Sequence, residues 1–365
     1  MRNLSTMEYD IIIIGAGVMG SAAAYYLSKS GKKILIIDQF KVKNDLNSSQ
    51  DYSRVFRYEY GEDEFYTNLA VKSLKLWKEF EKDAKKQFYF QCGALLIAEG
   101  EEEYAMKSYK TLKKLGHKVD LLNERDLSDR FPQFSAKFGV LDHQGGILEA
   151  SSAVESFINL AKQNGVEILE NIKVDKIKKN SIILENKRVI NFNKLIVTCG
   201  AWASKILDLP VKATKQQIIY FKPKNAENFS KDNFPLFAYL DKGFYGVPIH
   251  GIDAVKISNH LPGEISDPDN DRKVSEKFIQ SCKDFFKEFI PELADAEVIK
   301  TKVCFYSMTS DDDFIIDKLD DNIIIGAGFS GHGFKFGPLL GKILADLALR
   351  GRTKYDISRF KLDRF

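Results

Sequence analysis

No apolar run in this 365-residue chain approaches the roughly eighteen residues of a membrane-spanning helix, so no span is expected. Cysteine is scarce: Cys92, Cys199, Cys282 and Cys304 are widely spaced and form no C-x-x-C. With five histidines and no ligand-like cluster, a zinc site is not expected, and free thiols are the default in a reducing cytosol. Charge of one sign is also lacking, because 54 Lys and Arg face 51 Asp and Glu for a formal net charge of +3. That small excess argues against a nucleic-acid partner. Residues 1–8, MRNLSTME, lack the apolar centre of a signal peptide, and a cytoplasmic protein is expected. What is present is a globular composition, 44% apolar and 29% charged, in a chain long enough for two domains with sizeable cores.

The chain is organised around Tyr9 to Asp38, YDIIIIGAGVMGSAAAYYLSKSGKKILIID. Ile11 to Ile14 form a β-branched run that suits a strand buried on both faces. Gly15, Gly17 and Gly20 follow in G-x-G-x-x-G spacing, an Ala-rich helix is expected over Ser21 to Ser30, and Gly31 ends it. Ile34 to Ile37 read as a second strand closing on Asp38. Gly15 permits the turn, Gly17 lets a pyrophosphate approach the positive end of the helix, and Gly20 lets helix and strand pack tightly. Asp38 can accept hydrogen bonds from ribose hydroxyls and repel a 2′-phosphate. A glycine-rich βα turn alone is weak evidence. Both strands and the acid together predict dinucleotide binding.

Residues 41–60 are polar, with no steady period until Val55, and read as a loop that carries Arg54 and Arg57. Residues 64–82 read as a helix with Phe65, Leu69, Leu76, Trp77 and Phe80 on one face, and Trp77 as core packing. Residues 88–99 read as a strand pair or a strand bent at Gly93, residues 101–116 as a charged helix, and residues 137–149 as strand and turn. Residues 151–164 read as helix, three short strands follow, and Leu195 to Trp202 is a buried strand running into a glycine turn. Residues 215–262 alternate apolar and polar, which favours an antiparallel sheet, and residues 272–290 read as an amphipathic helix. A second strand and glycine turn follow at Asn322 to Phe336, NIIIGAGFSGHGFKF, with a helix from about Gly337 to Leu349. The two turns lie some 300 residues apart, so the nucleotide domain is expected to be assembled from both chain ends with a second domain inserted.

The segments YDIIIIGAGVMGSAAAYYLSKSG, SRVFRYEYGEDEFY, LIVTCGAWASKIL, FYGVPIHGIDAVKISNH, KVCFYSMTSDDDFIID and GAGFSGHGFKFGP resemble the monomeric sarcosine oxidase group of FAD-dependent amine oxidases, within the D-amino-acid-oxidase-like superfamily. The resemblance covers nearly the whole chain. It implies an α/β fold: a Rossmann-like FAD-binding domain of residues 1–88, 146–214 and 311–365, and an inserted antiparallel-sheet substrate domain of residues 89–145 and 215–310. It implies FAD contacts at Gly15, Gly17, Val18, Met19, Gly20, Asp38, Gln39, Ser49, Arg54, Val174, Gly200 and Trp202, and at Gly328, Gly331, His332, Gly333, Phe334 and Lys335. It implies a covalent flavin link at Cys304, oxygen activation at Lys256, and a substrate-carboxylate pair of Arg57 and Lys335. Arg54 falls beside the flavin ring, and Tyr245, His260 and Tyr306 line the substrate cavity. The reaction implied is oxidation of a secondary amino acid such as sarcosine by hydride transfer to FAD, with O2 reduced to H2O2, in a monomer.

Without the resemblance these residues read more plainly. Arg57 alone could be a surface charge pair, Lys256 an outward-facing lysine of the alternating run Ala254 to Ile257, Cys304 a buried strand thiol, and Lys335 a solvated residue in the first turn of a helix. His260 and Tyr245 could tune the amine by hydrogen bonding or simply pack. Cyclic or fructosyl amino acids as substrates, a dehydrogenase with a non-oxygen acceptor, and a flavoprotein that binds ligand without turnover stay open as alternatives. The chain also departs from the family pattern. Gln50 and Asp51 stand where a histidine and a glycine are usual, so Asp51 adds a negative charge, and Gln216 stands where an arginine is common.

Overall fold

The computed structural model describes residues 7–99, 103–270 and 272–365. It is a mixed α/β molecule with two large sheets and one small one. In the first sheet the strand Met7–Ile14 lies parallel between Ile34–Ile37 and Val189–Val197. The far edge of Val189–Val197 is shared: Leu195 to Val197 pair in parallel with Ile323 to Ile325, and Val189 to Asn191 pair with Ser181 to Ile183. The register sets Ile37, Ile14, Val197 and Ile325 side by side, so four parallel strands end at one edge. Both glycine turns leave the sheet there, which is how segments 300 residues apart come to one place.

The isoleucine runs are explained by burial on both faces. Ile11, Ile13, Ile36, Ile196 and Ile324 join the core under the helices, and Ile12, Ile14, Leu35, Ile37, Val197 and Ile325 join the core on the opposite face. Each such side chain contributes roughly 1.5–3 kcal/mol on leaving water. The first helix, Val18–Leu27, begins three residues before its expected start and continues as a 3-10 turn, Ser28–Ser30, which stops at Gly31 in the left-handed region. Its alanines have a packing reason. A Cβ on Gly341 of the last helix, Gly337–Arg350, would lie 2.5 Å from the Ala22 Cβ. The two helices therefore meet on backbone and methyl groups, where larger side chains would separate them.

The second large sheet runs in the order Glu297–Met308, Lys212–Lys222, Val255–Asn259, Phe244–Val247, Leu236–Tyr239, Ala94–Ala98, Phe138–Asp142, Val119–Asn123. Its pairs are antiparallel except Leu236–Tyr239 with Ala94–Ala98. One face packs on the helix Glu276–Phe289 through Ile219, Phe221, Val255, Ile257, Phe285 and Phe286. That helix starts later than expected because Ser275 is extended and caps it, its side chain accepting from the Phe278 N–H. The loop expected over residues 41–60 also contains a strand, Ser53–Phe56, which pairs with Gly146–Glu149 in a three-stranded sheet completed by Tyr89–Gln91. Tyr89–Gln91 and Ala94–Ala98 are two strands in different sheets, parted at Gly93 with φ +80.

Trp77 on the helix Glu64–Ala84 is fully buried, and its indole N–H donates to the Lys335 carbonyl at 2.7 Å, which also accepts from Ser73 Oγ at 2.6 Å. Trp77→Ala is expected to lower the unfolding free energy by about 3–5 kcal/mol, whereas Trp77→Phe, which leaves Ser73 on that carbonyl, should lose only about 1 kcal/mol. Urea denaturation of both variants checks this, and equal losses would refute the division between packing and hydrogen bond.

Candidate functional site

The second sheet turns its other face toward the glycine turns, and its register decides what that face carries. Lys256 lies opposite Tyr220, Gln216 opposite Cys304, Thr214 opposite Tyr306, and Tyr245 opposite both Ser258 and Ala238. Residues two apart share a face of a strand, so Cys304, Tyr306, Lys256 and Tyr245 come to one surface from three strands. Between this surface and the strand ends of the first sheet lies a cavity of about 550 Å³. Every site residue named from the sequence lines it except Gly20 and Gly328. Those two shape the turns instead. A Cβ on Gly20 would lie 1.9 Å from the Gly15 carbonyl oxygen, and Gly328 has φ +61 with Thr309 Cγ2 only 2.4 Å from where a Cβ would stand.

At one end of the cavity Gly17 occupies the N-cap of the first helix and brings no side chain to close it, although Ser49 Oγ accepts from the Val18 N–H at 3.0 Å. Asp38 Oδ2 accepts from the Ala16 N–H at 2.7 Å and Oδ1 from the Phe40 N–H at 2.9 Å. Each oxygen keeps a second lone pair, and burial raises this carboxyl above its usual range. The second turn touches Tyr306 at Gly331, where a Cβ would stand 2.4 Å from the phenol ring.

The other end is cationic. The Arg57 guanidinium and the Lys335 ammonium sit 4.7 and 5.1 Å from the centroid of the Tyr60 ring. Lys335 is buried in the 3-10 turn Phe334–Phe336 just before the last helix, which overturns the solvated reading. Its Nζ donates to Tyr60 Oη at 2.7 Å and to the His332 carbonyl at 2.9 Å. His332 Nε2 lies 3.1 Å from the Asp312 carbonyl, which can only accept, so Nε2 carries the proton and Nδ1 accepts from the Tyr60 hydroxyl at 3.0 Å. Burial, reinforced by Arg57, holds Lys335 well below its ordinary pKa. His260, exposed to the cavity, is brought down to about 4 by desolvation and by the charges of Arg57 and Lys335, so it is neutral at neutral pH. Tyr60 carried no role in the sequence reading. Its signal was its place three residues after Arg57 in SRVFRYEYGEDEFY.

Lys256 is 2% exposed, which overturns the outward-facing reading of its alternating run. Arg54 approaches it from the strand Ser53–Phe56, and Cys304 lies on the cavity wall with a thiol raised by burial and opposed chiefly by Arg54. Burial likewise raises Tyr245 and Tyr306. Among the described residues no three His, Cys, Asp or Glu side chains gather as a metal site, and no helix is long and apolar enough to cross a membrane.

A helix start to which Gly17 brings no side chain, a carboxylate at the close of the second strand, and a cavity that continues to a cationic inner chamber fit a long anionic dinucleotide. Fold and site together define a dinucleotide-dependent oxidoreductase. More closely, the chain belongs to the family of FAD dependent oxidoreductases, which its residues 10–347 match, and FAD is its cofactor. It is 32% identical to monomeric sarcosine oxidase of Bacillus sp. (strain B-0618), over 98% of this chain and 96% of that one. It is 28% identical to N-methyl-L-tryptophan oxidase of Yersinia pestis (strain Pestoides F), over 98% of this chain and all of that one. The crystal structure of L-proline dehydrogenase from P. horikoshii shares the fold at TM-score 0.86 and 21% identity, covering 99% of this chain and 98% of that one.

Proposed function

We propose that the protein oxidises secondary, N-methyl amino acids such as sarcosine at the C–N bond, with O2 as final acceptor, acting as a monomer on the free amino acid. The carrying observation is the pair Arg57 and Lys335, two cations of one cavity that make no ion pair with a carboxylate among the described residues. A substrate carboxylate completes them. FAD, when bound, supplies the hydride acceptor and passes two electrons on to O2, which with two protons gives H2O2. The chain's part is to fix the carboxylate at Arg57 and Lys335 and to keep water out. The amine must be unprotonated to support hydride loss, and a neutral His260 together with Tyr245 can accept from or donate to its nitrogen without adding charge. The imine that results is hydrolysed to the amino acid and formaldehyde when the N-substituent is methyl. Lys256 places an ammonium where negative charge develops on O2.

A substrate panel with peroxide detection tests this reading. Sarcosine and N-methyl-tryptophan should yield peroxide, and Lys256→Met should slow reoxidation by O2 about 10²-fold or more while leaving anaerobic reduction by substrate unchanged. Peroxide from pipecolate or a fructosyl amino acid alone would instead favour a second reading, a cyclic or fructosyl amino acid oxidase. The apolar wall of Leu96, Ala238, Leu240 and Leu261 supports that reading, because it offers room for a larger side chain.

The site assignments from the sequence belong to the same proposal, including a covalent flavin at Cys304. Its support is the position of the thiol on the cavity wall close to Arg54. Acid precipitation of the protein should leave the yellow colour in the pellet, and Cys304→Ser should release it to the supernatant. Colour in the wild-type supernatant would exclude the link.

A further inference from the structure

Asp51 is built into the structure. It is 7% exposed and lies behind the cavity wall formed by Lys256. Its Oδ2 accepts from Lys256 Nζ and from Arg54 Nη1, each at 2.7 Å. Its Oδ1 accepts from the Tyr220 hydroxyl and from the Tyr52 N–H, the latter at 2.9 Å. The Asp51 backbone is held in turn by Ser151 at the start of the helix Ala150–Gln163. Lys256 Nζ also donates to the Ser53 carbonyl at 2.9 Å. Two of its three N–H bonds are therefore spoken for, and one is left for the cavity.

The groups facing this amine come from four directions. Asp51 approaches from the segment that leads into Ser53–Phe56 and Arg54 from that strand, Tyr220 from the neighbouring strand, Lys302 and Cys304 from Glu297–Met308, and Tyr245 from Phe244–Val247. Asp45 pairs with Lys302 at 3.4 Å from an exposed loop. Arg54 and Lys256 thus share the buried Asp51 carboxylate, and the buried Lys302 adds a third positive charge near it. Arg54 cannot give up its proton, so without Asp51 the repulsion falls on the lysines. Burial lowers Lys256, and Asp51 is the largest influence opposing that fall, the balance standing at about 8.

We propose that Asp51 is a positioning residue for Lys256: from behind the wall it keeps the amine protonated and directs its remaining N–H into the cavity. The catalytic consequence rests on the reading of Lys256 as the group that serves O2, and the two can fail separately.

The test uses the full-length, FAD-loaded protein labelled with 13C at lysine Cε, the Lys256 resonance being assigned by its loss in Lys256→Met. In Asp51→Asn the midpoint of the Lys256 titration should fall by about one unit or more, a tenfold change in its proton affinity, and Asp51→Glu should restore it. A midpoint unmoved in folded Asp51→Asn overturns the proposal. Should that variant not fold, Asp51→Gly must show the same fall. In the reaction of the reduced enzyme with O2, Asp51→Asn should be about threefold slower at pH 7.5 and recover at pH 6, the fraction of ammonium lost by a one-unit shift. In a Lys256→Met background the same substitution should change nothing, and an independent, multiplicative effect there overturns the proposal. A shifted titration with an unchanged O2 reaction would leave the positioning role standing and remove the oxygen role of Lys256.

Discussion

Arg57→Met is expected to reduce kcat/KM for an N-methyl amino acid by about two to three orders of magnitude. A carboxylate held by a charged donor in water-poor surroundings contributes about 1.5–3 kcal/mol per hydrogen bond, and a guanidinium offers two in parallel. Arg57 lies over Tyr60 beside Lys335, and among the described residues no carboxylate forms an ion pair with either, the buried Glu59 acting on both only through space. The loss should therefore be specific. The matching amine without a carboxylate should turn over slowly in the wild type and no more slowly in the variant. Because Arg57 also donates to the Glu59 carbonyl and to Tyr104 Oη at 3.3 Å, a melting curve must accompany the kinetics. Lys335 adds a pH signature. Its folded pKa is lowered well below the usual lysine value, so its charge is present at low pH and is lost as pH rises through that lowered value. KM for the amino acid should climb over that rise, and the climb should be absent in Lys335→Met. Equal losses for the amino acid and the carboxylate-free amine would show that Arg57 holds the chamber together rather than the substrate.

Those residues were nameable from the sequence, but their partners were not. Glycine turns are legible because the signal is local: an apolar run, a left-handed turn that needs glycine, and a helix appear within some twenty residues. Gly15 with φ +98 and Gly328 with φ +61 are such positions. Short half-exposed elements carry no such signal. Val119–Asn123 has a single buried side chain, Leu122, and the helix Glu124–Arg130 that follows it is set by a capping box of Asn123 and Asp126. No period of either kind can show in stretches of five to seven residues of that character. Ser53–Phe56 passes for loop because only its first and last residues are buried. Asp51 stands out in the sequence as a foreign charge. Its meeting with Lys256, 205 residues on, is a product of sheet register and of the Ser151 clamp, and neither is written near Asp51. Lys256 shows the same limit from the other side, since alternation along a strand assigns it a face but does not say that the face is covered.

Gly20→Ala is expected to yield protein that does not retain FAD through purification, although a methyl group is the smallest addition a residue can receive. The argument is distance. The added Cβ would stand 1.9 Å from the Gly15 carbonyl oxygen and 2.7 Å from Thr198 Oγ1. Real Cβ atoms do not come within about 3 Å of a backbone oxygen, and a carbonyl cannot swing aside as a side-chain end can. Either the first helix lifts from the strand Met7–Ile14 or the turn at Gly15 opens. Gly15 is pinned from three sides. Its N–H donates to the Ile37 carbonyl at 2.8 Å, its own oxygen accepts from Thr198 Oγ1 at 3.1 Å, and a Cβ on it would lie 2.4 Å from the Thr198 oxygen. The helix is pinned as well, through Ala22 against Gly341. Strain of this kind is expected to cost several kcal/mol and to fall on the helix end that would face the pyrophosphate, so cofactor affinity should drop at least about a hundredfold. Gly31→Ala is the matched control, since Gly31 has φ +71 but open space around its Cβ. It should lose only about 1 kcal/mol of stability and keep the cofactor. Flavin absorbance per protein after gel filtration reads both outcomes. A yellow, stoichiometrically loaded Gly20→Ala would mean that the helix start is softer than these contacts allow, and that the first glycine turn is not what holds the dinucleotide.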